Sequence, residues 1–301
     1  MAYPEHSRDR FFKYTSASTA VKVLESSAVR YSSPLLFNDP FDVQSGLHFD
    51  FDIESLPDKI LARVEELMAL DKKPNVSEDG PLGKAIILMW EKKAAHGFPR
   101  EHIREMFGPE LGRLKEQVIQ LQTQFQHTWW NDFLPRLRVF SVSEEKDNLL
   151  MWAHYAENHT GVVFELLNLP EEDNCLCAAE PVLYCNTPPS FFTEEQWLND
   201  ILSVQRLAPE ELYFQYAYVK SALWAYEKEW RVWDLLPNLQ QMLYSDYTLQ
   251  LKEVGAVYFG CRVASELKAK MMSLLSAKFP DAKLFQARKV SDIFELEFEA
   301  I

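Results

Sequence analysis

Two serines and two glutamates form pairs whose spacing suits chemistry. Ser141 and Ser143 lie two residues apart, and so do Glu227 and Glu229, about eighty residues further along the chain. Residues two apart on a strand point to the same face, so each pair is predicted to present its polar groups on one face of a sheet. The two pairs predict strands that line a polar cleft on an apolar sheet.

Glu227 and Glu229 are the first candidates for catalysis. Two carboxylates side by side on a strand repel, unless a cation, a hydrogen-bond donor or solvent relieves the repulsion. The alternative is that both face water and pair with Lys228 or Arg231, and Lys220 is a further natural partner. Ion pairs of this kind are common in proteins and need no function.

Other polar residues lie in places where binding groups are found. Asn38 and Asp39 precede Pro40 in a loop that proline keeps out of a ladder, although such residues also close turns with their own backbone. His154 and Tyr155 fall in a predicted helix. The alternative for His154 is a core or boundary histidine that donates to a carbonyl.

The periodicity of apolar residues predicts the elements that position these groups. Residues 54–135 show apolar positions three to four apart and no candidate chemistry, so we interpret them as a helical insertion within a single α+β domain that spans 1–301. Outside this insertion, strands are predicted at 11–15, 29–32, 138–143, 161–166, 181–184, 229–235, 254–259, 283–287 and 293–298. Helices are predicted at 18–25, 147–158, 194–205, 210–224 and 264–279. The expected fold class is α+β with a mixed or antiparallel sheet at its core.

Composition excludes several classes of protein. The chain has 301 residues, 47% of them apolar, and a formal charge of −14, which argues against broad contact with a nucleic-acid backbone. Its four cysteines show neither a paired spacing nor a neighbouring histidine that would suggest zinc. The longest apolar stretch is too short to span a bilayer and the start has no apolar signal segment, so we expect no membrane partner and a cytoplasmic location.

Several motifs resemble a bacterial family that is catalogued as a domain of unknown function. They are Phe37-Asn38-Asp39-Pro40-Phe41-Asp42, Met151-Trp152-Ala153-His154-Tyr155-Ala156 followed by Gly161, and Tyr226-Glu227-Lys228-Glu229-Trp230-Arg231. Membership of that family implies no activity. A role as a toxin or in defence against phage is compatible with it.

The order of the motifs also resembles that of ADP-ribosyltransferases, which split NAD. Those enzymes carry a cation or histidine on an early strand, then an aromatic-Ser-x-Ser strand, then a Glu-x-Glu strand. The matching positions here are Lys13 or Tyr14, Ser141 with Ser143, and Glu227 with Glu229. The resemblance implies an ADP-ribosyltransferase-like fold, a dinucleotide partner in the form of NAD as substrate, and an acceptor that the sequence does not identify.

The resemblance also implies roles for individual residues. Glu229 would stabilise the oxocarbenium-like centre, Glu227 would orient or deprotonate the acceptor, and Ser141 would hold the ribose or a neighbouring side chain. His154 or Tyr155 would stack on a ring. The expected NAD-binding residues are Lys13, Tyr14, Tyr31, Ser32, Asn38, Asp39, Ser143 and Tyr155.

The chain departs from the transferase pattern on the first strand. Arginine is usual there, whereas Lys13 cannot make the same forked contact with the pyrophosphate. Arg30, one strand later, is the alternative cation. The sequence leaves open whether Lys13 or Arg30 takes that place.

Two other functions fit the residues. One is a metal-dependent hydrolase or nuclease in which Asp39, Asp42, Glu227 and Glu229 bind magnesium and Lys220 assists. The other is a non-enzymatic binding module with an aromatic recognition surface, since 13% of the residues are aromatic. Clustered acids favour the first of these, and an exposed aromatic patch without a polar cleft favours the second.

Overall fold

A large mixed sheet forms the centre of the structure. The computed structural model describes residues 6–79, 81–96 and 100–301. The strands are β1 (Arg10–Thr15), β2 (Ala28–Ser32), β3 (Leu137–Ser143), β4 (Val162–Leu167), β5 (Glu180–Pro181), β6 (Leu183–Cys185), β7 (Val219–Ser221), β8 (Glu229–Leu235), β9 (Tyr244–Thr248), β10 (Val254–Phe259), β11 (Lys283–Lys289) and β12 (Leu296–Ala300).

The order of the strands differs from their order along the chain. The main path runs β12-β11-β10-β4-β1-β3-β2-β9, and β8 pairs with β3 and β5 beside it. Strands β10 and β11 are parallel, and the other pairs in this sheet are antiparallel. Strands β6 and β7 form a separate parallel pair. The predicted mixed, mainly antiparallel sheet is therefore confirmed, and the ADP-ribosyltransferase-like classification stays a prediction.

Strand β3 is paired differently along its two edges. One edge pairs with β8 along its whole length, from Leu137 to Ser143. On the other edge, β1 meets β3 where Phe12 lies opposite Ser143, and β2 meets it where Ser32 lies opposite Val139. Because β1 then continues along β4 and β2 along β9, the two strands diverge from β3. Ser141 lies at the resulting gap.

Alternation along the strands divides the core between the two faces of the sheet. Phe11 and Phe140 belong to a large apolar cluster that includes Leu24 and Leu275 from the helices on that face. The next residue, Phe12, points to the opposite face and packs with Trp152 in a smaller cluster. The alternation of side chains that predicts these strands thus also determines which face of the sheet each side chain occupies.

Helices fill most of the segment between β2 and β3 and also occur between other strands. They are α1 (Ala17–Ser26), α2 (Leu56–Ala69), α3 (Pro81–His96), α4 (Arg100–Thr128), α5 (Leu134–Arg136), α6 (Leu149–His154), α7 (Glu194–Ile201), α8 (Pro209–Ala217) and α9 (Ser265–Lys278). Helix α1 begins at a serine cap, since the Ser16 side chain accepts from the Thr19 N–H.

Three predicted helices end four or more residues earlier than expected, and one of them, predicted at 194–205, ends at Ile201. The helix predicted at 210–224 ends at Ala217 and is followed by β7 and a 3₁₀ helix, Ala222–Glu227. The helix predicted at 147–158 covers only Leu149–His154, because Glu157, Asn158 and His159 have positive φ. These left-handed residues lead to Gly161, where a Cβ atom would lie 2.2 Å from the carbonyl oxygen of Thr15.

The chain divides into two compact units. The first contains residues 1–45, 133–187 and 218–301, and the second contains residues 46–132 and 188–217. The first unit holds the large sheet, and the second holds α2, α3, α4, α7 and α8. A single domain with a helical insertion at 54–135 stays a prediction.

A helix that crosses a bilayer is both long and predominantly apolar. Within residues 6–79, 81–96 and 100–301, none of them is both long and apolar enough to cross a bilayer.

Candidate functional site

A cleft of about 300 Å³ opens where β1 and β2 diverge from β3. It brings together most of the predicted site residues, which come from segments distant in sequence. Those on its walls are Lys13, Tyr14, Ser32, Asn38, Ser141, Ser143, Tyr155, Glu227 and Glu229. The cleft lies within the first compact unit.

Three predicted site residues lie elsewhere. The Tyr31 ring is buried in the core, where it stacks on Phe140. His154 is exposed, and its Nδ1 lies 2.9 Å from the Tyr226 hydroxyl. Asp39 accepts from the Phe41 N–H in a local turn, and its other oxygen accepts from Trp224 Nε1 at 2.6 Å. Asp39 therefore closes a turn and also anchors the loop to the 3₁₀ helix.

The two glutamates do not share a strand, so the prediction of a Glu-x-Glu strand is wrong in this respect. Glu227 is the last residue of the 3₁₀ helix, and Glu229 is the first residue of β8. Lys228 between them has a φ of 44°, and its side chain pairs with Glu145 at the surface. Although this turn separates them, both carboxylates are buried, with exposures of 3% for Glu227 and 6% for Glu229.

Lys220 draws the two carboxylates together. Its Nζ contacts Glu227 Oε2 and lies 2.8 Å from Glu229 Oε2. It also lies 3.3 Å from Asp42 Oδ2. Strand β7 places this side chain because it runs beside β6, whose Tyr184 hydroxyl accepts from the Glu229 N–H at 2.8 Å.

Arg231 binds the other side of the same cluster. Its Nε donates to Glu229 Oε1 at 2.8 Å, and its Nη2 donates to both Asp42 oxygens at 2.7 and 2.8 Å. Arg231 and Glu229 are two apart on β8, so their side chains leave the same face. All five members of the cluster, Asp42, Lys220, Glu227, Glu229 and Arg231, are buried.

The cations hold Glu229 in its ionised form. Burial alone would raise its pKa, but the charges of Arg231 and Lys220 and their hydrogen bonds lower the pKa of Glu229 far below its usual value. Burial would likewise lower the pKa of Lys220, whereas the carboxylates of Glu229, Asp42 and Glu227 raise it. Both groups are therefore charged at neutral pH.

Glu227 is in a different electrostatic state. Burial raises its pKa above the usual value and the charge of Glu229 adds to the rise, although Lys220 opposes it. The Tyr155 hydroxyl donates to Glu227 Oε1 at 2.5 Å. The environment thus moves the pKa values of two neighbouring carboxyl groups in opposite directions, a pattern typical of acid–base sites.

The two serines have different surroundings. The Ser143 hydroxyl donates to the Glu227 carbonyl at 2.7 Å and fixes the backbone of that residue. Ser141 lies opposite Arg231 in the register of β3 and β8 and is partly exposed in the cleft. Among the hydrogen bonds of the described residues, none involves the Ser141 hydroxyl, so it is available to a ligand.

Lys13 and Arg30 both reach the cleft, but only one of them is held by an acid. Arg30 donates to both oxygens of Asp246, at 2.9 and 3.1 Å. Lys13 Nζ donates to the Ser141 carbonyl at 2.6 Å, and it forms no ion pair with any carboxylate in the described part of the chain. Burial lowers the pKa of Lys13 to about 8.

A family match covers four of the five members of the charged cluster. Residues 151–232 match a family described as a protein of unknown function, DUF2971. No curated protein and no solved structure matches the chain. The matched segment contains Tyr155, Lys220, Glu227, Glu229 and Arg231.

Residues outside the matched segment complete the site, and one of them was not predicted to belong to the site. Lys13, Asp42 and Ser141 all precede residue 151. The sequence assigns Asp42 only to the metal hypothesis, yet it is a buried partner of both Lys220 and Arg231. Charge balance gives no signal for it, because Lys220 and Arg231 already balance Glu227 and Glu229, so the role of Asp42 is visible only in the tertiary contacts.

The acids of the charged cluster are not arranged as a metal centre. Within residues 6–79, 81–96 and 100–301, no group of three or more His, Cys, Asp or Glu side chains is placed to hold a metal ion. In the cluster itself, ammonium and guanidinium groups lie against the carboxylate oxygens that a magnesium ion would need.

Proposed function

We propose that this chain cleaves NAD between nicotinamide and ribose and transfers ADP-ribose to an acceptor, with NAD hydrolysis as the reaction when water is the acceptor. One observation carries the proposal: Ser141, Glu227 and Glu229 line the same cleft although they are distant in sequence. These are the residues to which the resemblance to ADP-ribosyltransferases assigns the chemistry.

The charge of the cluster suits this reaction. When the carbon–nitrogen bond breaks, its electron pair stays on the nicotinamide nitrogen, and positive charge develops on the ribose ring. With all groups ionised, the carboxylates of Asp42, Glu227 and Glu229 exceed the cations Lys220 and Arg231 by one negative charge. Fixed charge of opposite sign beside a developing cation lowers the barrier, and it needs no reorganisation during the reaction.

The opposite pKa shifts divide the work between the glutamates. Glu229 stays ionised and is held rigidly by Arg231 and Lys220, so it serves as the fixed negative charge. Glu227 has a raised pKa, which makes its carboxylate a stronger base than an ordinary glutamate. The acceptor forms its bond to the ribose carbon, and its proton passes to Glu227.

The shape of the cleft limits how much of the dinucleotide it encloses. A volume of about 300 Å³ lies at the lower end of the range for ligand pockets. A whole dinucleotide is larger than this cleft, so we propose that only the nicotinamide and its ribose lie inside the cleft. The Ser141 hydroxyl would then accept or donate a hydrogen bond at the ribose, and Lys13 would meet the pyrophosphate.

The proposal is tested by incubating the purified chain with NAD, with and without protein and small-molecule acceptors, and measuring free nicotinamide. We expect release by the wild type and a loss of about 100-fold or more in Glu229→Gln, which keeps the shape of the side chain but removes its charge. The matched control is Glu145→Gln, since Glu145 is a surface acid that pairs with Lys228.

Two further measurements distinguish a loss of catalysis from a loss of folding. Circular dichroism of Glu229→Gln shows whether the fold persists, and Ser141→Ala, which leaves the charged cluster intact, serves as a second variant with an expected loss of activity. Intact NAD after incubation with the wild type and all acceptors would contradict the proposal, as would equal rates for Glu229→Gln and Glu145→Gln.

A further inference from the structure

A second cavity, of about 620 Å³, lies at the carboxyl ends of β10 and β11. These two strands are parallel, so their carboxyl ends meet at one edge of the sheet. Cys261 and Arg262 follow β10, and the segment 290–295 follows β11. Both segments line the cavity.

The cavity is lined by two cations that are not engaged in ion pairs in the described part of the chain. Arg262 and Lys289 line it, and neither forms an ion pair with a carboxylate in the described residues. The Arg262 side chain hydrogen-bonds only weakly, to the Asn158 carbonyl at 3.4 Å. His159 also lines the cavity, and its Nδ1 is buried without a hydrogen-bond partner in the described part of the chain.

Apolar residues line the same cavity beside the cations. Ile293 and Phe294 are 53% and 96% exposed, and both line it together with Leu149 and Leu296. An aromatic ring left almost wholly in water provides a surface on which a flat group can stack. Cations beside an aromatic surface are the features that bind an anion attached to a ring.

We propose that this cavity binds a small organic phosphate that carries an aromatic ring, such as a nucleoside monophosphate. The phosphate lies between Arg262 and Lys289, and the ring lies against Phe294. Asp292 and Glu295 also line the cavity and offer acceptors for amino or hydroxyl groups of the ligand. The volume is within the usual range for ligand sites. The site shares no lining residue with the cleft and does not depend on NAD cleavage.

The proposal is tested by calorimetric titration of the full chain with AMP, adenosine and inorganic phosphate. We expect AMP to bind more tightly than either fragment, and both Arg262→Gln and Lys289→Gln to weaken AMP binding at least tenfold. The matched control is Arg288→Gln, because Arg288 precedes Lys289 on β11 but pairs with Glu299 on β12. Binding by this variant should stay within twofold of the wild type.

Further variants locate the bound AMP. Phe294→Ala should weaken AMP binding but leave phosphate binding unchanged, because it removes the ring contact only. Lys13→Gln, in the cleft, should leave the binding of AMP by the second cavity unchanged. Absence of AMP binding at millimolar concentration overturns the proposal. Binding that is lost in Lys13→Gln but kept in the Arg262 and Lys289 variants also overturns it, since AMP then occupies the cleft.

Discussion

Lys13 is the cation best placed to set the pH dependence of the proposed reaction. It lines the cleft, its Nζ is fixed to the Ser141 carbonyl, and burial lowers its pKa to about 8. Glu227, across the same cleft, has a pKa above the usual 4.5. Two titrations with shifts of opposite sign therefore bound the pH range in which the site has both a base and a cation.

We predict a bell-shaped profile of kcat/KM for NAD cleavage. The rate should rise with pH as Glu227 loses its proton, at a pH above the ordinary glutamate value. It should fall near pH 8, because Lys13 then loses the charge that meets the pyrophosphate. Initial rates of nicotinamide release between pH 4 and pH 10 measure both limbs.

The matched variant for this profile is Lys13→Arg. Arginine keeps its charge throughout that range, so the alkaline limb should disappear while the acid limb remains. A fall near pH 8 that persists in Lys13→Arg assigns the alkaline limb to another group and contradicts the role of Lys13.

The residue scale also shows what spacing alone can predict. Ser141 and Ser143 were expected on one strand and lie on β3, because alternation with Phe140 and Val142 is a local property of the chain. Residue spacing does not predict the turn that separates Glu227 from strand β8. A left-handed Lys228 gives no pattern in the sequence, since lysine rarely adopts that conformation.

At the scale of elements, the charged cluster joins four segments: the loop after β2, strand β7, the 3₁₀ helix at Ala222–Glu227 and strand β8. Asp42, Lys220 and Arg231 each come from a different one of these. The sequence contains no signal for this pairing, because Asp42 and Arg231 are 189 residues apart and ion-pair geometry depends on the tertiary fold. The Lys220 and Arg231 contacts to the glutamates agree with the ion pairs considered from the sequence, except that they are buried.

Removing one partner from this cluster should destabilise the fold strongly. We predict that Arg231→Gln lowers the free energy of unfolding by about 3–5 kcal/mol, because Glu229 and Asp42 remain buried without their main cation. Urea unfolding at pH 7 measures the change.

The matched control is Arg30→Gln, which removes a surface pair with Asp246 and should cost about 1 kcal/mol or less. Equal losses in the two variants would contradict the account. The pH dependence has a definite sign: since the pKa of Glu229 is lowered in the folded chain, its stabilisation is complete above the ordinary glutamate pKa and is lost as the pH falls.

At the scale of the whole molecule, the cleft is a consequence of strand order. Periodicity predicted most strands, including β8 and β10 at their observed bounds. It could not predict that β1 and β2 both approach β3 and then diverge, because pairing between distant strands leaves no local trace. The gap that exposes Ser141 is therefore visible only in the structure and not in the sequence.

The binding of NAD in this gap is tested most directly by calorimetric titration of NAD into the wild type and Ser141→Tyr. The larger side chain should fill the cleft at β3 without removing any member of the charged cluster. Ser18→Tyr, the same substitution at an exposed position of α1, is the control. We predict that the wild type and Ser18→Tyr bind NAD equally, whereas Ser141→Tyr, folded by circular dichroism, does not bind it. Unchanged NAD binding by Ser141→Tyr, or none by the wild type, would contradict the account.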